Sequence, residues 1–307
     1  MYGTPHRRLA VRTGAGVAAL AATALAGCSS DPPSLLTGKV IEVGVKRDQP
    51  GTSFSPFAGE FEGFDVKVAR ELLSSVGVKD PSFEGILSKH RASVLQKGHV
   101  QFVAATFSIN QERMAPKGEM EGAENLDFVG PYAATKQGFL VRKDESARYK
   151  HLRDFRGKVV CVWEGTTSGS ALDEIKETYG ITTVTEMDAA QCVNKLRAEE
   201  TEAVDAVSTD QLILYGFMEE HPELAVASGV TFGADNRYGV AMKKGYREDC
   251  KKLQRALVDY VNSNDWEADF LLELGSVPRE IRKKAKPQVA DIENLSCRDE
   301  PGIKQVG

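Results

Sequence analysis

Ala104-Ala105-Thr106-Phe107-Ser108-Ile109-Asn110-Gln111-Glu112-Arg113 reads as the end of a strand, a hydroxyl-rich turn and the start of a helix. A second segment, Trp163-Glu164-Gly165-Thr166-Thr167-Ser168, follows the same plan. A helix N-terminus carries free N–H groups and a partial positive charge, so each turn attracts a carboxylate. Thr106, Ser108, Thr166 and Thr167 add hydroxyl donors, and Arg113 adds a two-pronged clamp for the same anion. A third segment, Val204-Asp205-Ala206-Val207-Ser208-Thr209-Asp210-Gln211, puts Asp210 where a strand ends and a helix begins, a place suited to an ammonium group. Taken singly, each segment is better explained by ordinary helix capping.

Working outward, strand and helix patterns alternate. Lys39 to Val45 is a strand with Ile41, Val43 and Val45 on one face. Asp65 reads as the N-cap of a helix with Val68, Ala69, Leu72, Leu73 and Val76 on one side. Further helices are expected over 88–97, 168–179, 188–199, 210–219, 247–262 and 266–274. Strands are expected over 100–106, 139–142, 158–162, 181–186, 204–208 and 238–242. Such alternation predicts α/β layers with ligands at the carboxyl ends of the strands. From Ser276 the chain is charged, contains proline and reads as an extension over the surface.

The start of the chain predicts its compartment. Arg7, Arg8 and Arg12 precede an apolar stretch from Val17 to Leu25, which ends in Leu25-Ala26-Gly27-Cys28. That stretch is too short to span a membrane and reads as a lipoprotein export signal, with Cys28 as the lipidated first residue of the mature protein. Arg7-Arg8 leaves the twin-arginine export route open beside the general one. Residues 29–37 read as a tether. Of five cysteines, four then remain for an oxidising compartment. They allow three pairings. We favour Cys161 with Cys192, on a strand and a helix that can lie side by side, and Cys250 with Cys297, which would tie down a polar tail. No cysteine pair has zinc-ligand spacing, so neither metal nor cofactor is expected. A formal charge of −5 with scattered lysines and arginines argues against nucleic acid.

Together these segments resemble the extracellular solute-binding proteins that serve polar amino acid ABC importers. The resemblance runs from Lys39 to about Gly275 and rests on the order and spacing of short motifs. They are Val43-Gly44-Val45-Lys46 with Asp48-Gln49-Pro50-Gly51, Glu62-Gly63-Phe64-Asp65, the 104–113 segment, Gly130-Pro131-Tyr132 and Leu140-Val141-Arg142-Lys143. Gly157-Lys158-Val159, Gly165-Thr166-Thr167, Val204-Asp205-Ala206-Val207 with Thr209-Asp210, and Tyr238-Gly239-Val240 complete the set. The resemblance implies a two-lobed periplasmic-binding-protein-like fold of type II, with two crossing hinge strands and the ligand in the cleft. The first lobe would be 39–137 plus 239–275 and the second 138–236, with 1–27 as signal peptide, 28–38 as tether and 276–307 as C-terminal extension.

Position by position, the resemblance implies that Arg113 clamps the α-carboxylate and that Thr106 and Ser108 bind the α-groups. It further implies that Thr166 and Thr167 add to the carboxylate site, Asp210 receives the α-ammonium and Phe54 covers the ligand. Glu62 and Asp65 are taken as structural. An acidic ligand needs a second cation, because a buried unpaired carboxylate is costly; Lys46, Arg47 and Arg91 are the candidates. The run also resembles actinobacterial glutamate receptors, including the positions of Cys161 and Cys192, so L-glutamate is expected, with aspartate and glutamine next. Near Asp188-Ala189-Ala190, where some acidic amino acid binders carry histidine, this chain has alanine. The implied partners are an ABC permease with its ATPase, and the membrane through the lipid; the protein itself would be a monomer and not an enzyme. Two alternatives use the same cleft: a sensor that signals through a membrane partner, and a cyclohexadienyl dehydratase-like enzyme.

Overall fold

The computed structural model describes residues 1–3, 33–38, 40–198 and 203–298. Cys28 and the apolar stretch before it lie outside the described residues. The strands are β1 (Glu42–Val45), β2 (Asp48–Gln49), β3 (Ser53–Phe54), β4 (Ser82–Gly85), β5 (Phe102–Val103) and β6 (Leu126–Arg142). They continue with β7 (Val159–Trp163), β8 (Thr182–Glu186), β9 (Ala206–Asp210), β10 (Leu224–Val226) and β11 (Phe232–Lys243). The helices are α1 (Phe64–Ser75), α2 (Arg91–Lys97), α3 (Gln111–Met114), α4 (Thr167–Tyr179) and α5 (Ala189–Arg197). After them come α6 (Gln211–Glu220), α7 (Arg247–Asn262), α8 (Asp265–Glu273), α9 (Arg279–Ala285) and α10 (Val289–Leu295).

The fold is mixed α/β with two lobes. One nine-stranded sheet runs β4-β1-β5-β11-β6-β9-β7-β8, with β10 beside β6. Parallel strands β4, β1 and β5 form one side, and parallel strands β8, β7 and β9 the other. Between them β6 and β11 run antiparallel to each other and link both sides. The 17-residue β6 is buried over nearly its whole length. It therefore lacks the alternation that marks a half-exposed strand, and only its end, 139–142, reads as strand in the sequence.

Local chemistry sets the helix ends. Gly98 takes a left-handed conformation (φ 75°) and stops α2. The Asn110 side chain accepts from the Arg113 N–H and starts α3. Asp65 is not the cap of α1: Gly63 (φ 111°) occupies that position, where a side chain would collide with the Thr52 backbone at 2.6 Å. Val68, Ala69, Leu72 and Leu73 do form the buried face of α1, as their spacing predicts.

Both expected disulfides are present. Cys161–Cys192 ties β7 to α5 across 31 residues, and Cys250–Cys297 ties α7 to the chain after α10 across 47 residues. Closing loops of that size stabilises a fold by roughly 2–4 kcal/mol each. The segment after Ser276 is more than a surface run: α9 and α10 bury Ala285 and Ile292, and Ser296 Oγ accepts from the Gly130 N–H of β6 at 2.9 Å. Among the described residues no helix is long and apolar enough to cross a membrane, and no residue group could hold a metal ion.

Candidate functional site

A small cavity lies where the two lobes meet. The first-lobe side supplies Gln49, Ser88, Arg91, Thr106, Ser108 and Arg113. The second supplies Thr166, Thr167, Ser168, Thr209, Asp210 and Ile213. Seven residues named from the sequence therefore come together: Arg91, Thr106, Ser108, Arg113, Thr166, Thr167 and Asp210.

Arg113 is 5% exposed, and its Nη1 donates to the Ser108 carbonyl at 2.6 Å. Arg91, 2% exposed, donates to the carbonyls of Ser88, Ala105 and Thr106 and, at 2.6 Å, to Gly165 of the other lobe. Both guanidinium groups lie against the ring of Phe107, at 4.1 and 4.4 Å from its centre. Burial first, and the neighbouring Arg113 second, lower the Arg91 pKa. Burial also lowers that of Arg113, with Glu124 opposing it. An arginine in such a place keeps its charge at neutral pH. Glu124 Oε2, 3.8 Å from Arg113 Nε, offsets part of this charge, and two like-charged groups on one wall favour a further anion.

Thr106 sits at φ 47°, a conformation a β-branched residue rarely adopts. Asp65 holds it there, accepting from the Thr106 N–H and from the Tyr132 hydroxyl, each at 2.7 Å. Burial pushes the Asp65 carboxyl up to about 7, against those hydrogen bonds. Asp65 thus supports the site without lining it, a role its position in the sequence does not reveal. Thr106 Oγ1 lies 3.0 Å from Gln49 Oε1, which fixes Gln49 at the cavity.

Asp210 is the carboxylate of the opposite wall. It accepts from Gln137 Nε2 of β6 at 3.0 Å, from Asn236 Nδ2 at 2.5 Å and from the Tyr238 hydroxyl at 2.7 Å, the last two on β11. Both crossing strands therefore grip it. Burial raises its pKa to about 6, with Tyr238 and Asn236 opposing. Beside it, α4 begins with Thr166 as its cap and no side chain on its free N–H groups, so the positive end of a 13-residue helix faces the cavity. Gly165 lets the walls meet: a Cβ there would lie 2.5 Å from the Lys89 backbone. Lys89 and Glu164 pair across the same junction at 2.6 Å.

Three residues named from the sequence are elsewhere. Arg47, in the connection between β1 and β2, is exposed and does not line the cavity. Lys46 is fully buried, but its Nζ is committed to the Ile86 carbonyl and to Asp48 at 3.1 Å. Phe54 lines a different, open groove with Glu62, Glu219 and Glu273. Gln49, Ser88, Ser168, Thr209 and Ile213 were not singled out from the sequence. Of these, Ser88 is 4% exposed and its Oγ has no hydrogen-bond partner among the described residues. Ser168 and Thr209 lie inside the quoted segments, beside Thr167 and Asp210, where their hydroxyls could have been added to the candidates.

Such a fold, with paired cations facing one carboxylate between two lobes, has the architecture of a solute-binding protein. Residues 41–268 match the bacterial extracellular solute-binding proteins, family 3, and the chain belongs to that family. It is 30% identical over 270 residues to the glutamate-binding protein GluB of Corynebacterium glutamicum, covering 82% of this chain and 86% of the relative. It is 29% identical over 207 residues to the ABC transporter glutamine-binding protein GlnH of Bacillus subtilis, covering 66% and 69%. Among solved structures, an ancestral arginine-binding protein bound to arginine superposes with a TM-score of 0.65 at 25% identity, over 76% of this chain and 97% of that one. The chain is thus a substrate-binding protein of the amino acid ABC transporter class rather than an enzyme, and the family implies an extracytoplasmic location.

Proposed function

We propose that this protein binds L-glutamate, with aspartate and glutamine as weaker ligands, and delivers it to an ABC permease on the outer face of the membrane. The observation that carries the reading is the cavity wall with two buried guanidinium groups, Arg91 and Arg113, opposite the single carboxylate Asp210. Glutamate has the matching charges, two carboxylates and one ammonium. Arg113 and the α4 N-terminus would take the α-carboxylate and Asp210 the α-ammonium. Arg91 would take the distal carboxylate through the N–H not already committed to backbone carbonyls. Thr106, Ser108, Thr166 and Thr167 complete the hydrogen bonds. The glutamate- and glutamine-binding relatives support the same ligand class.

In this reading the lobes, 39–137 with 239–275 and 138–236, close as rigid bodies about hinges near Gly138-Phe139 and 236–239. A ligand touching both walls stabilises the closed state by its added contacts. Cys28 carries a lipid that holds the monomer at the membrane. A strain lacking the gene is expected to lose uptake of labelled glutamate, restored by the intact gene but not by Arg113→Ala. Unchanged uptake in the deletion strain contradicts the transport role.

A further inference from the structure

The crossing strands carry a second concavity that the amino acid site does not use. A groove enclosing about 1360 Å³ of space open to solvent is walled by β6, β11 and the region of α9 and α10. Alternation along β11 separates it from the cavity: Asn236 and Tyr238 donate to Asp210, while Asp235 and Arg237 line the groove. The α9–α10 wall lies beyond residues 41–268, the part that matches the family.

The groove concentrates charge of one sign. Five cations line it (Lys136, Arg237, Lys283, Lys284 and Lys286) against two carboxylates, Asp235 and Asp291, in a chain of formal net charge −5. Lys136 pairs with Asp235 at 3.1 Å, and Lys283 with Glu280 at 3.4 Å. Among the described residues no carboxylate pairs with Arg237 or Lys284. Lys286 lies over the Trp266 ring, 5.4 Å from its centre. The cations cannot disperse by rotating α9, because Ala285 is fully buried, and the Cys250–Cys297 disulfide staples the chain just after α10. Held together by the fold, they give the groove a positive potential that attracts a counter-charge.

We propose that this groove is a second binding site, for a phosphate-bearing anion with at least two negative charges. Lysines on separate walls act as rotatable point charges, which suit several phosphate oxygens in space better than one planar carboxylate. The anion could arrive free or as the headgroup of an anionic lipid. The two sources share this chemistry and are told apart by the test.

The test uses the chain from Pro32 to Gly307. Pyrophosphate is titrated by calorimetry at low ionic strength, and flotation is measured with phosphatidylglycerol and with phosphatidylcholine vesicles. Binding of pyrophosphate, or selective flotation with phosphatidylglycerol, is expected, and it should weaken about tenfold for each charge removed in Arg237→Gln and Lys284→Gln. Pyrophosphate binding assigns a free anion, and flotation alone assigns the lipid. Lys136→Gln with Lys283→Gln is the second variant, should the first melt early, with the same expectation. No binding of either probe, or binding that both variants leave unchanged, overturns the proposal. Neither readout depends on the amino acid cavity, so the glutamate reading stands or falls separately.

Discussion

The two walls of the cavity share a strand–turn–helix plan and carry opposite charge. On the first wall the turn at Thr106 is strained and the helix α3 is short, and the positive charge comes from the side chains of Arg91 and Arg113. On the second the turn at Gly165 leads into the longer α4, whose backbone supplies the positive end, and the ionised side chain is Asp210. In the proposed reading one wall would bind with side-chain cations held in place by backbone carbonyls, and the other with backbone N–H groups and one carboxylate held by the crossing strands. Neither wall alone would then satisfy an amino acid, and recognition and lobe closure would be the same event.

Variants can break this division of labour. Arg113→Ala removes the cation assigned to the α-carboxylate and should weaken every amino acid ligand by roughly 30-fold to several thousand-fold. Retained affinity in calorimetry would show that the first wall is not the anion wall. Asp210→Asn keeps the shape and removes the charge of the second wall, with an expected loss of about 10- to 100-fold.

The pH dependence follows from the same carboxylates. Burial raises Asp65 to about 7 and Asp210 to about 6, so the folded state holds protons that the unfolded chain has released. Their contribution to stability is therefore greatest below pH 4 and is lost as pH rises through 6 and 7. Ligand affinity should run the other way, tightening as Asp210 ionises near pH 6. In Asp210→Asn that rise in affinity should vanish; a rise that persists would move the ammonium site elsewhere.

Arg91→Gln sharpens the comparison at the first wall. Because Arg91 also holds four backbone carbonyls, the informative quantity is the ratio of glutamate to glutamine affinity, expected to fall about tenfold. An unchanged ratio would make Arg91 a purely structural tie. The smallest effect is expected from Lys89→Ala, which removes a partly exposed ion pair between the walls and should change affinity less than about fivefold. A larger change would mean that closure depends on the rim as well as on the ligand.

How much of this was legible depended on whether a residue's neighbours in sequence are also its neighbours in space. Arg113, Thr166, Thr167 and Asp210 sit in contiguous strand–turn–helix segments, and reading those segments found them. Arg47 and Lys46 were named as a pair, but the connection between β1 and β2 leaves Arg47 exposed and buries Lys46 against Asp48. Gln49 lies on the two-residue strand β2, and Ser88 on a single helical turn before α2, elements too short to leave a periodic signal. The support that Asp65 gives Thr106 spans 41 residues, and only the fold makes it visible. The buried β6 concealed itself in the same way, by having no polar face to alternate with.

The central claim is that the first wall seats two carboxylates. Calorimetry of glutamate against glutamine on the Pro32–Gly307 unit tests it most directly, since the two ligands differ in shape very little and in charge by one. The account predicts that glutamate binds at least about tenfold more tightly, as one extra charge-assisted hydrogen bond implies. Glutamine binding as tightly as glutamate, or more tightly, would contradict it.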